Sequence, residues 1–175
     1  MSEAPAAVLE RARAVRLAIF DVDGVLTDGT LYIGAQGEAF KAFNILDGHG
    51  LKMLQSAGVA TAILSGRSSE AVARRAQELS IAHVIQGSAD KVADFERLLS
   101  GLGLAAEACA FVGDDLPDLA VMRRCGLAIA VANAVDAVKA AAHYVTRAPG
   151  GRGAAREACE LVLSARGQLE AADAV

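Results

Sequence analysis

Short runs of apolar residues alternate along this chain with stretches in which apolar positions recur every three or four residues. The short runs are typical of buried strands, and the longer stretches are typical of helices that pack on a sheet. The pattern predicts strands at residues 17–20, 59–64, 82–85, 108–112 and 127–131, and helices at residues 50–57, 69–79, 91–102 and 116–125. We therefore predict an α/β fold, a doubly wound, Rossmann-like parallel sheet with helices on both faces.

Two segments interrupt the alternation and predict a β-hairpin. Residues 30–33 and 39–43 are largely apolar and flank a turn at residues 34–37 with a glycine at each end. The hairpin follows the loop after the first strand, so it should project over that loop. Because an isolated two-stranded ribbon is marginal in water, the hairpin either folds onto its own domain or contacts other copies of the chain, and its apolar content favours the second.

The chain is predicted to form a single domain over residues 1–175, since no interdomain linker, repeat or low-complexity tract stands out. Residues 1–15 form an N-terminal extension. Residues 148–175 begin with a glycine- and arginine-rich stretch that we expect to be flexible. They continue as a helix with Ala155, Ala158, Leu161 and Val162 on one face, and they end in a tail that we expect to fray.

Composition narrows the function. Of 175 residues, 54% are apolar and 22% are charged, as in a globular protein, and the net charge of −4 argues against nucleic acid as a partner. We expect neither a signal peptide nor a membrane span. The three cysteines are widely spaced, which is typical of buried thiols in a reducing compartment, so we expect a cytoplasmic protein.

Polar residues follow four of the predicted strands. Asp21 and Asp23 come directly after the first, Ser65 after the second, Lys91 soon after the third, and Asp114 after the fourth. Since ligands of doubly wound sheets bind at the carboxyl ends of the strands, we expect these side chains to share one crevice.

These residue types predict phosphoryl transfer. Asp21 and Asp114 offer the oxygen ligands that Mg²⁺ prefers, whereas no cluster of histidine and cysteine suggests zinc. Asp21 would attack phosphorus to give an aspartyl phosphate, and Asp23 would protonate the leaving oxygen and later deprotonate water. Lys91 and Ser65 would balance the phosphoryl charge. Two further acids, Asp115 and Asp118, either support the loop as helix caps or take part in catalysis.

The four motifs, Asp21-Val-Asp-Gly, Leu64-Ser-Gly-Arg, Lys91, and Gly113-Asp-Asp with Asp118, resemble those of the haloacid dehalogenase superfamily of phosphotransferases. Longer stretches over residues 15–168 resemble the family of 3-deoxy-D-manno-octulosonate 8-phosphate phosphatases within it. These stretches are Asp21-Val-Asp-Gly-Val-Leu-Thr-Asp-Gly, Leu46-Asp-Gly-His-Gly-Leu, Gly113-Asp-Asp-Leu-Pro-Asp-Leu and the segment from Tyr144 to Glu157.

The resemblance implies a capless, Mg²⁺-dependent phosphatase of lipopolysaccharide biosynthesis. It implies a homotetramer with the hairpin at its centre and with the C-terminal segment closing a neighbouring site. Carried over by position, the metal ligands are Asp21, the backbone carbonyl of Asp23, and Asp114. The catalytic residues are Asp21, Asp23, Ser65 and Lys91, and the substrate contacts are Asp23, Asn44, Ile45, Leu46, Asp47, Gly48, Lys52, Arg67, Arg75 and Lys91.

The capless architecture has independent support, because the hairpin and one helix use most of the chain between Asp21 and Ser65. A separate cap would need roughly 50 residues for its own core. Two positions depart from the family form: His49 stands for a tyrosine, and Lys52 stands for an arginine and so loses the bidentate fork that grips a carboxylate. His83 and His143 are interpreted as structural or solvated.

Several alternatives stay open. The substrate is either the 8-carbon sugar-acid phosphate or a 9-carbon one such as an acylneuraminate 9-phosphate. Asn44 and Asp47 cap a helix, contact substrate, or both, and Arg152 and Arg156 belong either to the surface or to the site. A phosphomutase or phosphotransferase is a rival enzyme, and a receiver or regulatory module is the non-catalytic rival. In a receiver the lysine comes last, whereas here Lys91 precedes Asp114.

Overall fold

The computed structural model describes residues 4–172, in which a six-stranded parallel sheet lies between helices and a two-stranded ribbon stands apart. The strands are β1 (Leu17–Phe20), β2 (Tyr32–Gly34), β3 (Gly37–Phe40), β4 (Ala60–Leu64), β5 (His83–Ile85), β6 (Cys109–Gly113), β7 (Leu127–Ala130) and β8 (Tyr144–Val145). The helices are α1 (Ala6–Arg13), α2 (Ile45–Ser56), α3 (Glu70–Glu78), α4 (Lys91–Leu102), α5 (Leu119–Met122), α6 (Asp136–Ala141), α7 (Ala154–Ala165) and α8 (Leu169–Ala172). The predicted doubly wound α/β fold is confirmed.

The sheet has the strand order β5-β4-β1-β6-β7-β8, and every neighbouring pair is parallel. β1 lies at the centre, with Leu17 paired to Ala60 on one side and to Cys109 on the other. All residues of β1, β6 and β7 are buried, as expected where helices cover both faces. Because the strands are parallel, their carboxyl ends meet at one edge.

The helices form two groups that cover the sheet. In one group α1, α2, α7 and α8 pack together, and in the other α4, α5 and α6 pack together. In α7 the predicted apolar face of Ala155, Ala158, Leu161 and Val162 is buried. The three cysteines are free and buried, as predicted. Among the described residues, no helix has both the length and the apolar character that crossing a membrane requires.

Several boundaries differ from the prediction. α2 begins at Ile45 rather than at residue 50, because Asn44 caps it by accepting a hydrogen bond from the Leu46 N–H at 2.8 Å. The predicted helix 116–125 is reduced to a 3₁₀ turn followed by the short α5. The sequence pattern missed α1, α6 and β8. The tail that was expected to fray forms α8, and the remaining residues of the two predicted termini, 1–3 and 173–175, lie outside the described residues.

The predicted hairpin is confirmed as the β2–β3 ribbon. Gly34 pairs with Gly37 across a two-residue turn, and the rings of Tyr32 and Phe40 stack with centroids 4.4 Å apart. Its apolar side chains remain exposed: 66% of Ile33 and 56% of Phe40 are open to solvent. An apolar ribbon left uncovered in one chain is a surface that another chain can cover.

The glycine-rich segment at residues 148–153 is fixed, so the expectation of a flexible stretch is wrong. Gly151 N–H donates to the Val25 carbonyl at 2.9 Å, and Gly150 N–H donates to Asn133 Oδ1 at 2.8 Å. A Cβ on Gly150 would overlap the Gly24 carbonyl oxygen. The segment is therefore a brace that lies backbone to backbone against the loop after β1, and only glycine allows this approach.

We predict that Gly150→Ala lowers the free energy of unfolding by about 1–3 kcal/mol, because the added methyl group meets backbone that cannot rotate away. Equilibrium urea unfolding measures the effect. Gly101→Ala is the matched control: its Cβ would meet nothing within 4 Å in the exposed last turn of α4, and the change should raise the free energy of unfolding by up to about 1 kcal/mol. Wild-type stability of Gly150→Ala would contradict the brace.

Candidate active site

The loop after β1 carries the first two predicted site residues at the carboxyl edge of the sheet. Asp21 N–H donates to the Val112 carbonyl at 3.0 Å, which extends the sheet hydrogen bonding by one residue. The chain then turns at Gly24, where φ is +88°. A Cβ on Gly24 would overlap Asp114 Oδ2, so the glycine lets the loop come against the end of β6.

The loops after β1, β4, β5 and β6 meet around one cavity of about 320 Å³. Its walls include every residue of the four predicted motifs that carries a reactive or charged group: Asp21, Asp23, Ser65, Arg67, Lys91, Asp114, Asp115 and Asp118. The expected convergence of strand ends is therefore present in the structure.

Lys91 lies between two buried carboxylates. Its Nζ donates a hydrogen bond to Asp118 Oδ1 at 2.7 Å and lies 2.9 Å from Asp21 Oδ1. Burial alone would lower the pKa of this ammonium, but the two carboxylates outweigh burial and raise its pKa. Lys91 is therefore held as a cation at the place where Asp21 meets the cavity.

Asp118 and Asp115 organise the loop after β6. Asp118 Oδ2 accepts hydrogen bonds from the N–H groups of Asp114 at 3.0 Å and Asp115 at 3.4 Å, while its other oxygen binds Lys91. Asp115 is exposed and caps the following 3₁₀ turn through the Leu116 N–H. Both acids thus have supporting contacts, and Asp118 in addition reaches the cavity through Lys91.

Negative charge exceeds positive charge at the centre of the site. Oxygens of Asp21, Asp114 and Asp118 lie within 4.8 Å of one another, with Lys91 as the cation among them. Burial, and then the neighbouring carboxylates, raise the pKa of Asp114 to about 7; burial and Asp118 raise the pKa of Asp21 to about 6. This cluster is costly unless it is protonated or balanced by a further cation.

The donor set fits Mg²⁺. Among the described residues, the buried Oδ1 atoms of Asp114 and Asp21 accept no hydrogen bond. Lys91 Nζ makes an ion pair with Asp21 Oδ1 but no hydrogen bond to it. Buried oxygens without a hydrogen-bond partner, on carboxylates whose pKa is raised, are what a hard divalent cation with oxygen ligands would satisfy. The predicted metal ligands Asp21 and Asp114 thus lie where a cation is needed.

Asp23 lies in an ion-pair network that the sequence motifs did not predict. Lys41 Nζ binds Asp23 Oδ1 and lies 3.1 Å from Glu38 Oε2. Arg67 lies on the other side, with Nη2 2.9 Å from Glu38 Oε2 and Nε 3.7 Å from Asp23 Oδ2. Glu38 also accepts a hydrogen bond from Ser69 Oγ at 2.7 Å. Two charged residues inside an otherwise apolar hairpin indicate that these residues have partners, but the sequence does not identify Asp23 as one of them.

The remaining predicted substrate residues lie apart from this cavity. Asn44, Asp47, Gly48 and Arg75 line a smaller, mainly apolar cavity beside α2 and α3. Ile45 and Leu46 are largely exposed, and Lys52 donates to Ser80 Oγ at 3.0 Å. Within one chain, the structure therefore divides the predicted substrate contacts into two groups.

Asp47 has a structural role that the spacing did not indicate. Its position in the sequence predicted a cap of its own helix, a substrate contact, or both. Its buried carboxylate instead accepts hydrogen bonds from Gly153 N–H at 3.2 Å and Arg156 N–H at 2.9 Å, so it caps α7. Burial raises its pKa.

His49 is exposed, and His143 accepts the Ala128 N–H at 2.9 Å in a structural role, as predicted.

Comparisons with known proteins agree with this geometry. Residues 80–156 match the model of the haloacid dehalogenase-like hydrolase family. The chain is 47% identical to the 3-deoxy-D-manno-octulosonate 8-phosphate phosphatase of Yersinia pestis, over 94% of this chain and 88% of that one. It is 46% identical to the enzyme of the same name from Escherichia coli K12, with the same coverage.

Solved structures show the same likeness. A probable phosphatase from Pseudomonas syringae is 55% identical, with a TM-score of 0.95 over 97% of both chains. The 3-deoxy-D-manno-octulosonate 8-phosphate phosphatase of Moraxella catarrhalis is 42% identical, with a TM-score of 0.93 over 95% of this chain and 96% of that one. The latter was solved in complex with a magnesium ion, a phosphate ion and the sugar acid.

We predict that Asp114→Asn stabilises the metal-free protein at about pH 8, by on the order of 1 kcal/mol. The folded-state pKa values of Asp114 and Asp21 are raised, so the folded protein binds more protons than the unfolded chain between about pH 4 and 7, and its stability falls as pH rises through this window. The variant removes one of the charges responsible. Urea unfolding in EDTA at about pH 8 and at about pH 5 measures the difference, which should shrink at the lower pH.

The response to magnesium should differ between the wild type and Asp114→Asn. Saturating Mg²⁺ is expected to stabilise the wild type and to have little effect on Asp114→Asn, since one ligand is lost. Asp136→Asn, an exposed carboxylate in the first turn of α6, is the control and should respond to Mg²⁺ like the wild type. Equal magnesium stabilisation of Asp114→Asn and the wild type would contradict the assignment of this ligand.

Proposed function

Because this chain belongs to the haloacid dehalogenase-like hydrolases, and within them to the 3-deoxy-D-manno-octulosonate 8-phosphate phosphatases, we propose that it hydrolyses that sugar-acid phosphate to the free sugar acid and phosphate. It is a phosphoric monoester hydrolase, and its reaction serves lipopolysaccharide biosynthesis. The observation that carries the proposal is the meeting of four strand-end motifs around one cavity, in a chain alike along 94% of its length to enzymes of that name.

Asp21, Asp114 and the backbone carbonyl of Asp23 would hold Mg²⁺. Two buried oxygens support this set: within residues 4–172, Asp114 Oδ1 accepts no hydrogen bond, and Asp21 Oδ1 has only the ion pair with Lys91. When bound, the cation neutralises charge on the phosphoryl oxygens and helps to orient the group for attack.

The protein's own groups then divide the chemistry. Asp21 attacks phosphorus in line, so that a carboxylate oxygen–phosphorus bond forms while the bond to the sugar oxygen breaks. Asp23 gives that leaving oxygen a proton. In the second half it takes a proton from water, whose oxygen attacks the aspartyl phosphate and releases phosphate and the Asp21 carboxylate. Lys91 and the Ser65 hydroxyl offset the charge of the phosphoryl group in both steps.

A homotetramer accounts for two features of the single chain. The hairpin presents Leu31, Ile33 and Phe40 to solvent, and several proposed substrate contacts lie outside the main cavity. We propose that the hairpins meet at the tetramer centre and that the C-terminal part of one chain closes a neighbouring site. A cytoplasmic location is in keeping with three free, buried thiols.

We predict that Asp21→Asn lowers kcat by about a thousandfold or more, because an amide cannot form the aspartyl phosphate. Phosphate release from 3-deoxy-D-manno-octulosonate 8-phosphate, with and without Mg²⁺, measures it. The variant should stay folded, since the change keeps the side chain's shape and removes one charge from a crowded cluster. Asp136→Asn is again the control and should keep wild-type activity. Undiminished turnover of Asp21→Asn would exclude this nucleophile.

A substrate panel addresses the open question of the sugar acid. An acylneuraminate 9-phosphate belongs in it, because Lys52 and His49 depart from the family form and Lys52 binds Ser80 in the isolated chain. We expect the 8-carbon substrate to give the higher kcat/KM. A higher kcat/KM for the 9-carbon substrate would overturn that choice, and no release from any sugar-acid phosphate would overturn the substrate class.

We predict that light scattering finds the mass of a tetramer for the wild type and a smaller mass for Ile33→Glu, because burying that carboxylate between hairpins is costly. Val84→Glu on the edge strand β5 is the control: it also places a carboxylate at an exposed apolar position, 37% open to solvent, and should leave the mass unchanged. A monomeric wild type would refute the assembly.

A further inference from the structure

The base of the hairpin joins the catalytic loop through four charged side chains, Asp23, Glu38, Lys41 and Arg67, which we call the charged ring. Lys41 bridges Asp23 and Glu38, and Arg67 closes the ring from the loop after β4. Two members thus come from the hairpin segment and two from the cavity wall. The ring is the set of side-chain ion pairs by which the described hairpin contacts the site.

Lys41 is the most deeply buried member of the charged ring. Its side chain is 3% exposed, against 22% for Asp23, 18% for Glu38 and 45% for Arg67. A buried ammonium is tolerated only where carboxylates neutralise it, so the positions of Lys41 and its two partners are mutually fixed. Ile33 and Phe40 of the ribbon are open to solvent, so the burial of Lys41 does not follow from burial of the ribbon as a whole.

The contact selects one oxygen of Asp23. Lys41 binds Oδ1, whereas Oδ2 has Arg67 Nε 3.7 Å away, beyond hydrogen-bond distance. A carboxyl group that protonates a leaving oxygen must present one defined oxygen to it, and a small misplacement of such a group is expensive in rate.

We propose that Lys41 is a positioning residue for Asp23: by holding Oδ1, it leaves Oδ2 to carry the proton to the sugar leaving oxygen, and Glu38 holds Lys41 in place. This inference rests on the proposed function, in which Asp23 is the acid and base. The hairpin base is thereby part of the catalytic machinery, in addition to any contact that the hairpin makes with other copies.

A positioning role makes the effect of Lys41 depend on the leaving group. The alkoxide of a sugar needs a proton as the bond to phosphorus breaks, whereas p-nitrophenolate leaves well without one. We expect Lys41→Met to slow release of the sugar acid by about 10- to 100-fold in single-turnover experiments, and release of p-nitrophenol from p-nitrophenyl phosphate by about threefold or less. KM for the sugar-acid phosphate should change by about twofold or less, since Lys41 acts through Asp23.

The double variant decides whether Lys41 acts through Asp23. In an Asp23→Asn background, Lys41→Met should have no further effect, because the proton-transfer group that Lys41 positions is already lost. Lys41→Arg keeps the charge and should recover most of the activity. Lys139→Met in α6 is the matched control away from the cavity and should behave like the wild type.

Each other outcome has a definite meaning. Equal slowing with both substrates, a rise in KM alone, or additive losses in the double variant would overturn the proposal in favour of a purely structural hairpin anchor. Wild-type activity of Asp23→Asn would instead refute the proposed function of Asp23 and leave Lys41 nothing to position.

Circular dichroism checks whether each variant is folded. Should Lys41→Met fail to fold, Glu38→Gln decides: a loss of a few fold that is larger for the sugar-acid phosphate supports the proposal, and equal losses overturn it.

Discussion

The site depends on one constraint, the crowding of carboxylates at the buried end of β1 and β6. Asp21, Asp114 and Asp118 would repel one another if each carried a full charge, and burial makes that repulsion more costly. Lys91 offsets only part of it; burial, and then the neighbouring carboxylates, raise the pKa of Asp21 and Asp114. This excess of negative charge favours uptake of a divalent cation, whose positive charge offsets the charge of the carboxylates.

Close backbone contacts hold the loops that carry these acids in place. Gly24 lets the catalytic loop touch Asp114, and Gly150 lets the brace touch the same loop from behind. The brace is held in turn by α7, which Asp47 caps from α2. The acids are thus positioned by a chain of contacts through α2 and α7, the two helices that pack most extensively on each other.

The sequence was informative wherever a pattern was long or a motif was complete. The central strands and the four strand-end motifs were predictable, because buried parallel strands read as apolar runs and their carboxyl ends necessarily meet. The pattern missed β8 and α6, because two and six residues are too short to show a period. It also misjudged the glycine-rich segment, since glycines that permit close backbone packing look the same in a sequence as glycines that permit flexibility.

The contacts of Lys41 and Asp47 show why part of the site could not be read from the sequence. Asp47 caps a helix that begins more than a hundred positions later in the chain. Lys41 binds Asp23, which precedes the whole hairpin in the chain. Neither relation has a local spacing that could reveal it. Asp47 connects α2 to the start of α7, and Lys41 connects the hairpin to the loop after β1. The hairpin and α2 therefore do more than fill the region between β1 and β4. Its charged residues tie it to the site, and its apolar residues leave a surface for another copy.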